Sequence, residues 1–571
     1  MRYVACFILF FQCVMVQAQN PLAIPPSLTG TNFNLTVQSG TQTFYGTKTT
    51  PTYGINGVWM SPTIIVNKGD SITLNVINTL NVSTTMHWHG LHVAPKNDGG
   101  PHQIIPKSTT WSPSFKVRNN ASTFWYHPHG AGQTDPQVSR GLAGLFIVKD
   151  NTEAALTLPR TYGIDDIPII VQSKAFDELQ QIAIATDMDT AIFVNGTLNP
   201  YFNAPAQVIR FRLLNGSSLR SFNFGLSNEQ TFYQIATDGG LLDSSIALTR
   251  LRLSPGERAE ILINFSGKQG QTLYLKSFAS ELPVGIYGAD SVGDANNPIH
   301  DYEDNFLNGA DFNLLEIRVA AANGNPVTLI PTSLVPYIPF TVTSTAVKRS
   351  IIMDTIRLLP ADKPNLAEGP FGMNNKTFDM DVVNEVVNLN ATEIWTLVNK
   401  TQVAHPFHIH DIQFNIIEKS GKQPPRNDRG WKDVVLVMPN DSIKFITKFE
   451  TFADSEVPYM FHCHLLHHED DGMMGSFLVV DTTVAGLKKI DFSNDIQVYP
   501  NPASSFITIQ SSLDFKNAEV KIFNLLGEIL LKDNIPDGKT TAFDIAELNS
   551  GIYLLQVQFQ NKVYIKKLIK Y

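Results

Sequence analysis

Four His-x-His pairs, two in the first quarter of the chain and two in its last third, constrain this sequence more than any other feature. They are His87/His89 in Met86-His-Trp-His-Gly90, His127/His129 in Trp125-Tyr-His-Pro-His-Gly130, His408/His410 in His405-Pro-Phe-His-Ile-His410, and His462/His464 at the head of His462-Cys-His-Leu-Leu-His-His-Glu-Asp-Asp-Gly-Met-Met474. Side chains alternate along a strand, so each pair shares one face, while Cys463 points away from His462 and His464. One strand can then serve two sites. On the Cys463 side, His468 and Met473 follow on the next loop. With His405 they make a set of thiolate, two imidazoles and a thioether, which is the donor set of a blue copper. The eight paired rings remain for a second site, enough for three ions with two ligands on one and three on each of the others. Ten of the 14 histidines are used in this way. Because the pairs come from both ends, a shared site must lie where those ends meet, and metal binding would clamp them together.

The four motifs, in this order, resemble those of the three-domain multicopper oxidases, among them laccases, bilirubin oxidases and bacterial copper-efflux oxidases. The likeness covers about residues 30 to 482. Asp98-Gly-Gly-Pro101, Arg140-Gly-Leu-Ala-Gly-Leu145, Asp165-Asp-Ile-Pro-Ile-Ile-Val171, Arg212-Leu-Leu-Asn-Gly216, Asp238-Gly-Gly-Leu241 and Gly430-Trp-Lys-Asp433 are most similar to the copper-efflux branch. The resemblance implies an all-β chain of three cupredoxin-like Greek-key β-sandwich domains, at 19–150, 164–322 and 341–482. The middle one would carry no copper ligands and act as a spacer.

Length and composition agree with this. A chain of 571 residues is too long for one core. Its net charge of -9 argues against nucleic acid or an anionic membrane as partner. Residues 1–18 read as a secretory signal: Met1-Arg2, an apolar run from Val4 to Val16, then Gln17-Ala18. That run is too short to span a bilayer as a stable helix. Two of the three cysteines, Cys6 and Cys13, lie within it, so Cys463 is left as the one thiol of the exported chain. An unpaired thiol in an oxidising compartment is a liability unless it holds metal.

Along the chain, Thr63-Ile-Ile-Val66, Ser71 to Ile77, Glu393 to Val398 and Ser442 to Thr447 read as strands. Residues 151 to 162 read as a linker, and Pro326 to Pro339 as a Pro-rich lead into the third block. The ending at 493–571 is a small β-sandwich with Tyr499-Pro-Asn-Pro502 and Gly551-Ile-Tyr553. It resembles the type A C-terminal sorting domain of type IX secretion. That likeness implies transit through the periplasm, then secretion or attachment to the cell surface, with the secretion machinery as partner. An accessory module binding sugar or protein is the other reading. His92 and His102 are either loop histidines or outer supports of the ligands, and His300 sits in a polar segment that reads as a solvated loop.

The resemblance further implies four copper ions. His405, Cys463 and His468, with Met473 as a weak axial ligand, would hold the type 1 ion. His87 and His408 would hold type 2, and the type 3 pair would be held by His89, His127 and His464 and by His129, His410 and His462. Electrons would pass from a small reducing substrate through Cys463 to His462 and His464, for reduction of O2 to water. Asp98 and Glu469 match the family's acidic residues near the cluster, where a carboxylate orients ligands or passes protons. Asp470 and Asp471 read as a solvated acidic turn. Copper-efflux oxidases place an Asp and a Met where this chain has Thr401 and Val403. Met353, Met373 and Met380 are scattered rather than clustered, which weakens Cu(I) as substrate and favours phenols or aromatic amines beside the His468 ring. His467 either lines that groove or faces solvent. A nitrite reductase lacks the coupled pair. A copper-binding or electron-transfer protein without oxidase turnover is the remaining alternative.

Overall fold

The computed structural model describes residues 19–294, 297–298, 305–356, 371–481, 496–516, 518–524, 528–559 and 562–571. The segments expected to be a signal peptide (1–18) and a solvated loop around His300 lie outside them. By its contacts the chain divides into a large unit ending at Val479 and a small one beginning at Val480.

The large unit is built almost wholly of strands. Its first block stacks the sheet of Ser27–Thr29, Thr63–Asn67, Gly144–Lys149 and Ser122–Tyr126 against one built on Asn32–Gln42 and Ser71–Asn78. Ser71–Asn78 alternates as its sequence predicts, burying Ile72, Leu74 and Val76 against Phe33, Leu35 and Val37. Thr63–Asn67 is buried on both faces, because it pairs in parallel with a neighbour on each side. An eight-stranded and a six-stranded sheet enclose a second core around Ile167, Phe211, Phe224 and Ile261. Two five-stranded sheets enclose a third, around Trp395, Phe445, Phe461 and Phe477. The predicted linker is partly a short helix, Asn151–Ala154, because the Asp150 carboxylate accepts from the Glu153 amide and caps it.

One pairing in the third block fixes the position of the site. His405–Ile409 lies antiparallel to Asp454–Cys463, with His408 opposite His462 and Phe407 opposite Cys463. Directly opposed residues share a face, so two rings leave on one side of this sheet, while Cys463 and Phe407 enter the apolar core on the other.

The small unit has a three-stranded sheet (Ile496–Tyr499, Phe506–Phe515, Gly538–Asp544) and a four-stranded one (Ile529–Ile535, Ala518–Phe523, Gly551–Phe559, Lys562–Lys570). They close on their own core, which includes Ile507, Val520, Tyr553 and Leu555. Among the described residues no helix is long and apolar enough to cross a membrane.

Charges also lie inside the large unit. Glu260 accepts from Arg210 (2.5 and 2.9 Å), from Arg212 (2.7 Å) and from the Thr123 hydroxyl of the first block (2.7 Å), all of them buried. Removing the charge of one partner in such a group leaves the others desolvated and unpaired, at a cost of about 3–5 kcal/mol. Glu260→Gln is therefore expected to lower the unfolding free energy of the large unit, read from urea titration, by an amount on that scale, while a change within about 0.5 kcal/mol, as for surface substitutions, would show that the group relaxes freely.

Candidate metal centre

The first centre is built on the end of a strand. Cys463 is the last residue of Asp454–Cys463, His405 is the first of His405–Ile409, and His468 lies in the five-residue helix Leu466–Asp470. The sequence places His468 on a loop; the turn of helix instead brings it back over Cys463. The Cys463 Sγ lies 3.4 Å from His405 Nδ1 and 3.9 Å from His468 Nδ1, and the two ring nitrogens are 3.3 Å apart. The far nitrogen of each ring faces a hydroxyl: His405 Nε2 is 2.8 Å from Thr401 Oγ1, and His468 Nε2 is 3.3 Å from Tyr287 Oη. With the proton on Nε2, each Nδ1 lone pair points inward. This is the usual way an outer hydrogen bond fixes a ligand's tautomer. Met473 is buried in the same core, its carbonyl accepting from the Cys463 amide at 3.0 Å. Burial pushes the Cys463 thiol above its ordinary range and the His405 imidazole down to about 3. A cation at this centre would favour the thiolate.

The second centre gathers the other eight rings, all of them 0% exposed. The first-block pairs do not lie in continuous strands as expected. Pro128 has no amide to donate to a ladder, Gly90 turns the chain with φ +84°, and the two segments meet only through a single bridge between His87 and His127. That bridge suffices to aim the rings. His89 stacks on His408 at 3.7 Å between ring centroids, and His87 stacks on His410 at 3.9 Å, so each first-block ring of that pair lies flat on one from the third block. His89 Nδ1 lies 3.4 Å from His127 Nε2 and 3.3 Å from His464 Nε2. His129 Nε2 lies 3.1 Å from both His410 Nε2 and His462 Nε2. These make two three-nitrogen groups. The Nε2 atoms of His87 and His408 have no hydrogen-bond partner, although both are buried. Their Nδ1 atoms donate to the carbonyls of Asp98 (2.9 Å) and Asp433 (2.8 Å), so a lone pair is left on each Nε2. Buried lone pairs without a donor are costly, and a soft or borderline cation satisfies them. Burial also holds His87, His89, His129, His408, His410 and His464 well below the ordinary imidazole range, and His127 at about 4. These rings are neutral near pH 7, as ligands must be.

Carboxylates sit outside this shell. Asp98 Oδ2 is 2.6 Å from His410 Nδ1. Glu469 spans two rings, with His129 Nδ1 at 3.3 Å and His462 Nδ1 at 3.1 Å, and accepts from Thr134 Oγ1 at 2.7 Å. Burial works against its charge, but His129 and His462 hold it down to about 2. Burial, and after it the charge of Asp411, pushes Asp98 well above the carboxylate range. Asp470 is not the solvated acid expected: it accepts from the amides of Thr134 and Asp135, both at 2.9 Å, at the head of the helix Thr134–Ser139. Asp471 is exposed and faces His467 at 3.5 Å. His92 supports Asp411 at 2.8 Å, and His102 faces the Met380 carbonyl at 3.1 Å.

Three residues that sequence reasoning gave no role to also shape the second centre. Asp433 reaches His89 Nε2 at 3.1 Å and is clamped by Arg258 at 2.5 and 2.6 Å. Gly256 has φ +83°, and a Cβ there would meet the His464 ring at 2.8 Å. Arg258 and Gly256 belong to the middle block, which is therefore more than a spacer. Asp433 stood in a recognised motif, but its partners lie 175 and 344 residues away, beyond the reach of any local pattern.

Residues 36–153 and 339–483 match the family described as multicopper oxidase, and residues 497–571 match the secretion system C-terminal sorting domain. A multicopper oxidase of Staphylococcus haemolyticus is 32% identical over 459 residues, 79% of this chain and 89% of that protein. A cell division protein, FtsP, of Proteus mirabilis is 30% identical over 466 residues, 80% of this chain and 91% of its own length. Among solved structures, the laccase-like multicopper oxidase CueO of Ochrobactrum sp. superposes with a TM-score of 0.70 at 31% identity, covering 81% of this chain and all of that one. The fold, the two buried donor sets and these likenesses agree: the chain belongs to the multicopper oxidase family and ends in a secretion sorting domain that marks it for secretion or surface attachment.

Proposed function

We propose that this protein is a working oxidase, taking single electrons from a small aromatic reductant and delivering four of them to O2. One observation carries the reading: two buried donor sets of different chemistry are joined by the three consecutive residues His462, Cys463 and His464. In this assignment His405, Cys463 and His468, with Met473, would hold a type 1 copper, and His87 and His408 type 2. His89, His127 and His464 would hold one ion of the type 3 pair, and His129, His410 and His462 the other. Bound copper would supply one-electron acceptance at the first centre and four-electron reduction of O2 to water at the second.

The chain's own part follows from what surrounds these atoms. Thr401 and Tyr287 keep the Nε2 protons of His405 and His468 in place. Glu469, in contact with His129 and His462, orients both rings, and its carboxylate is placed to take up and pass a proton beside the cluster. Asp98, held above the carboxylate range, is placed to keep a proton on the opposite side, against His410. Arg258 clamps Asp433 and keeps it aimed at His89.

Phenols or aromatic amines are favoured over Cu(I). Thr401 and Val403 stand where carboxylate and thioether ligands would be needed, and both are buried, with Thr401 engaged by His405. Met353 and Met373 are buried in the third core rather than turned outward. The Ochrobactrum relative is described as having oxidase activity towards lignin model compounds. Residues 1–18 would direct export across the inner membrane and the C-terminal domain the next step outward.

Oxygen uptake by copper-loaded protein is expected with a phenol and to be weaker with Cu(I). No uptake with either, at four coppers per chain, would favour a copper-binding protein without turnover. Cys463→Ser is expected to abolish the blue absorption and the turnover together while the far-ultraviolet circular dichroism stays unchanged; full activity in that variant would refute the assignment. The copper-free protein carries a further signature. His87, His89, His127, His129, His405, His408, His410, His464 and His468 have folded-state pKa values below the free value of 6.5, at about 4 for His127 and about 3 for His405. The unfolded chain therefore binds more protons in this range. The stability from these rings is fully present above pH 6.5 and lost as pH falls towards 3, so the melting temperature should drop through that window.

A further inference from the structure

The ring that hands electrons to a blue centre is expected to meet its donor in a groove, but His468 is only 5% exposed. Phe371 lies against one side of it, with ring centroids 4.7 Å apart. The Tyr287 hydroxyl stands 3.3 Å from its outward nitrogen, and the tyrosine ring is 5.8 Å away at 69°. Tyr287, unlike His468, is half-buried. It also lines a shallow recess with Asp187, Asp189, Leu219, Arg220 and Gly288.

Its position is held from several directions. The Tyr287 carbonyl accepts from the Ser221 amide at 2.9 Å, and the Gly288 carbonyl accepts from the Gly309 amide at 3.0 Å. Gly288 has φ +101°, and a Cβ there would crowd Arg220 at 3.1 Å. Arg220 is itself fixed by Asp189 and by Asn308 at 2.9 Å. Two residues before Tyr287, the Gly285 carbonyl accepts from the Ala404 amide at 2.7 Å, next to His405. A loop of the middle block is thus fastened to the strand that carries one blue-centre ligand, and it places an aromatic ring over the other.

We propose that Tyr287 is the contact through which the electron donor reaches the blue centre: the donor rests against the tyrosine ring, and its electron crosses the bond between Tyr287 and His468. This rests on the oxidase reading above. One electron would leave the aromatic donor, whose phenolic proton is released to solvent, and copper held at the first centre would take that electron up, while Tyr287 keeps its own electrons and its proton.

The test separates a bridge from a mere support. With copper on Nδ1, His468 Nε2–H donates to Tyr287, which makes the imidazole more basic and favours the oxidised metal. In Tyr287→Phe the potential of the blue centre should rise, measured by redox titration with mediators. If Tyr287 only tuned the centre, this larger driving force would speed reduction. The proposal expects the opposite: anaerobic reduction of the blue band by hydroquinone slows by about tenfold or more, the scale of losing an outer hydrogen-bond partner, with half-saturation unchanged because the ring remains. Following rates at equal blue absorbance removes any loss from misfolded protein. Reduction as fast as wild type, or faster, in Tyr287→Phe would overturn the proposal. Failure of hydroquinone to reduce the wild-type blue centre would instead overturn the oxidase reading beneath it.

Discussion

Ten imidazoles in a dry interior are what this structure has to accommodate. A neutral ring has one nitrogen that donates and one that accepts, and burying either without a partner costs free energy. The chain satisfies the outward nitrogens of eight of the ten, with the carbonyls of Asp98, Pro128, Asp433 and Cys463, the carboxyl groups of Asp98 and Asp433, and the hydroxyls of Thr401 and Tyr287, while His129 Nδ1 and His464 Nδ1 have no hydrogen-bond partner. The inward nitrogens of eight rings are left facing one another at 3.1 to 3.4 Å, and those of His87 and His408 have no partner. Neutral lone pairs at that distance repel, and a metal ion between them turns the arrangement favourable. Bound metal would in this sense be part of what holds the two ends of the large unit together.

Among the described residues of the middle block none joins either donor group, yet the block touches both. Arg258 and Gly256 reach the eight-ring cluster, one through Asp433 and the other against the His464 ring. Tyr287 reaches the blue centre. The loop from Ser254 to Arg258 and the loop around Tyr287 belong to the same block, so a shift in its docking would disturb both centres at once. Rigid positioning of ligands by such outer contacts is how a protein tunes a metal.

Much of the site was legible in the sequence because its chemistry is concentrated in short motifs. The donors of the first centre come from His405 and from the eleven consecutive positions Cys463 to Met473. The opposition of His408 and His462 is a register fact, but strand alternation already placed Cys463 on the other face. What misled was regularity. The segments around His87 and His127 were read as strands, yet Pro128 and the turn at Gly90 interrupt them. His468 was read on a loop, but the amides at the head of Thr134–Ser139 engage Asp470 and stabilise a turn of helix there.

The sequence by itself determined the donor atoms, their division between two faces of one strand, and the all-β architecture, because each is local: residue type and a period of two suffice. Only the tertiary structure decided which rings stack, which carboxylate serves which ring, and that a tyrosine lies over His468. Those relations join residues as far as 344 positions apart, and no repeat or composition encodes a distance that depends on how three blocks dock.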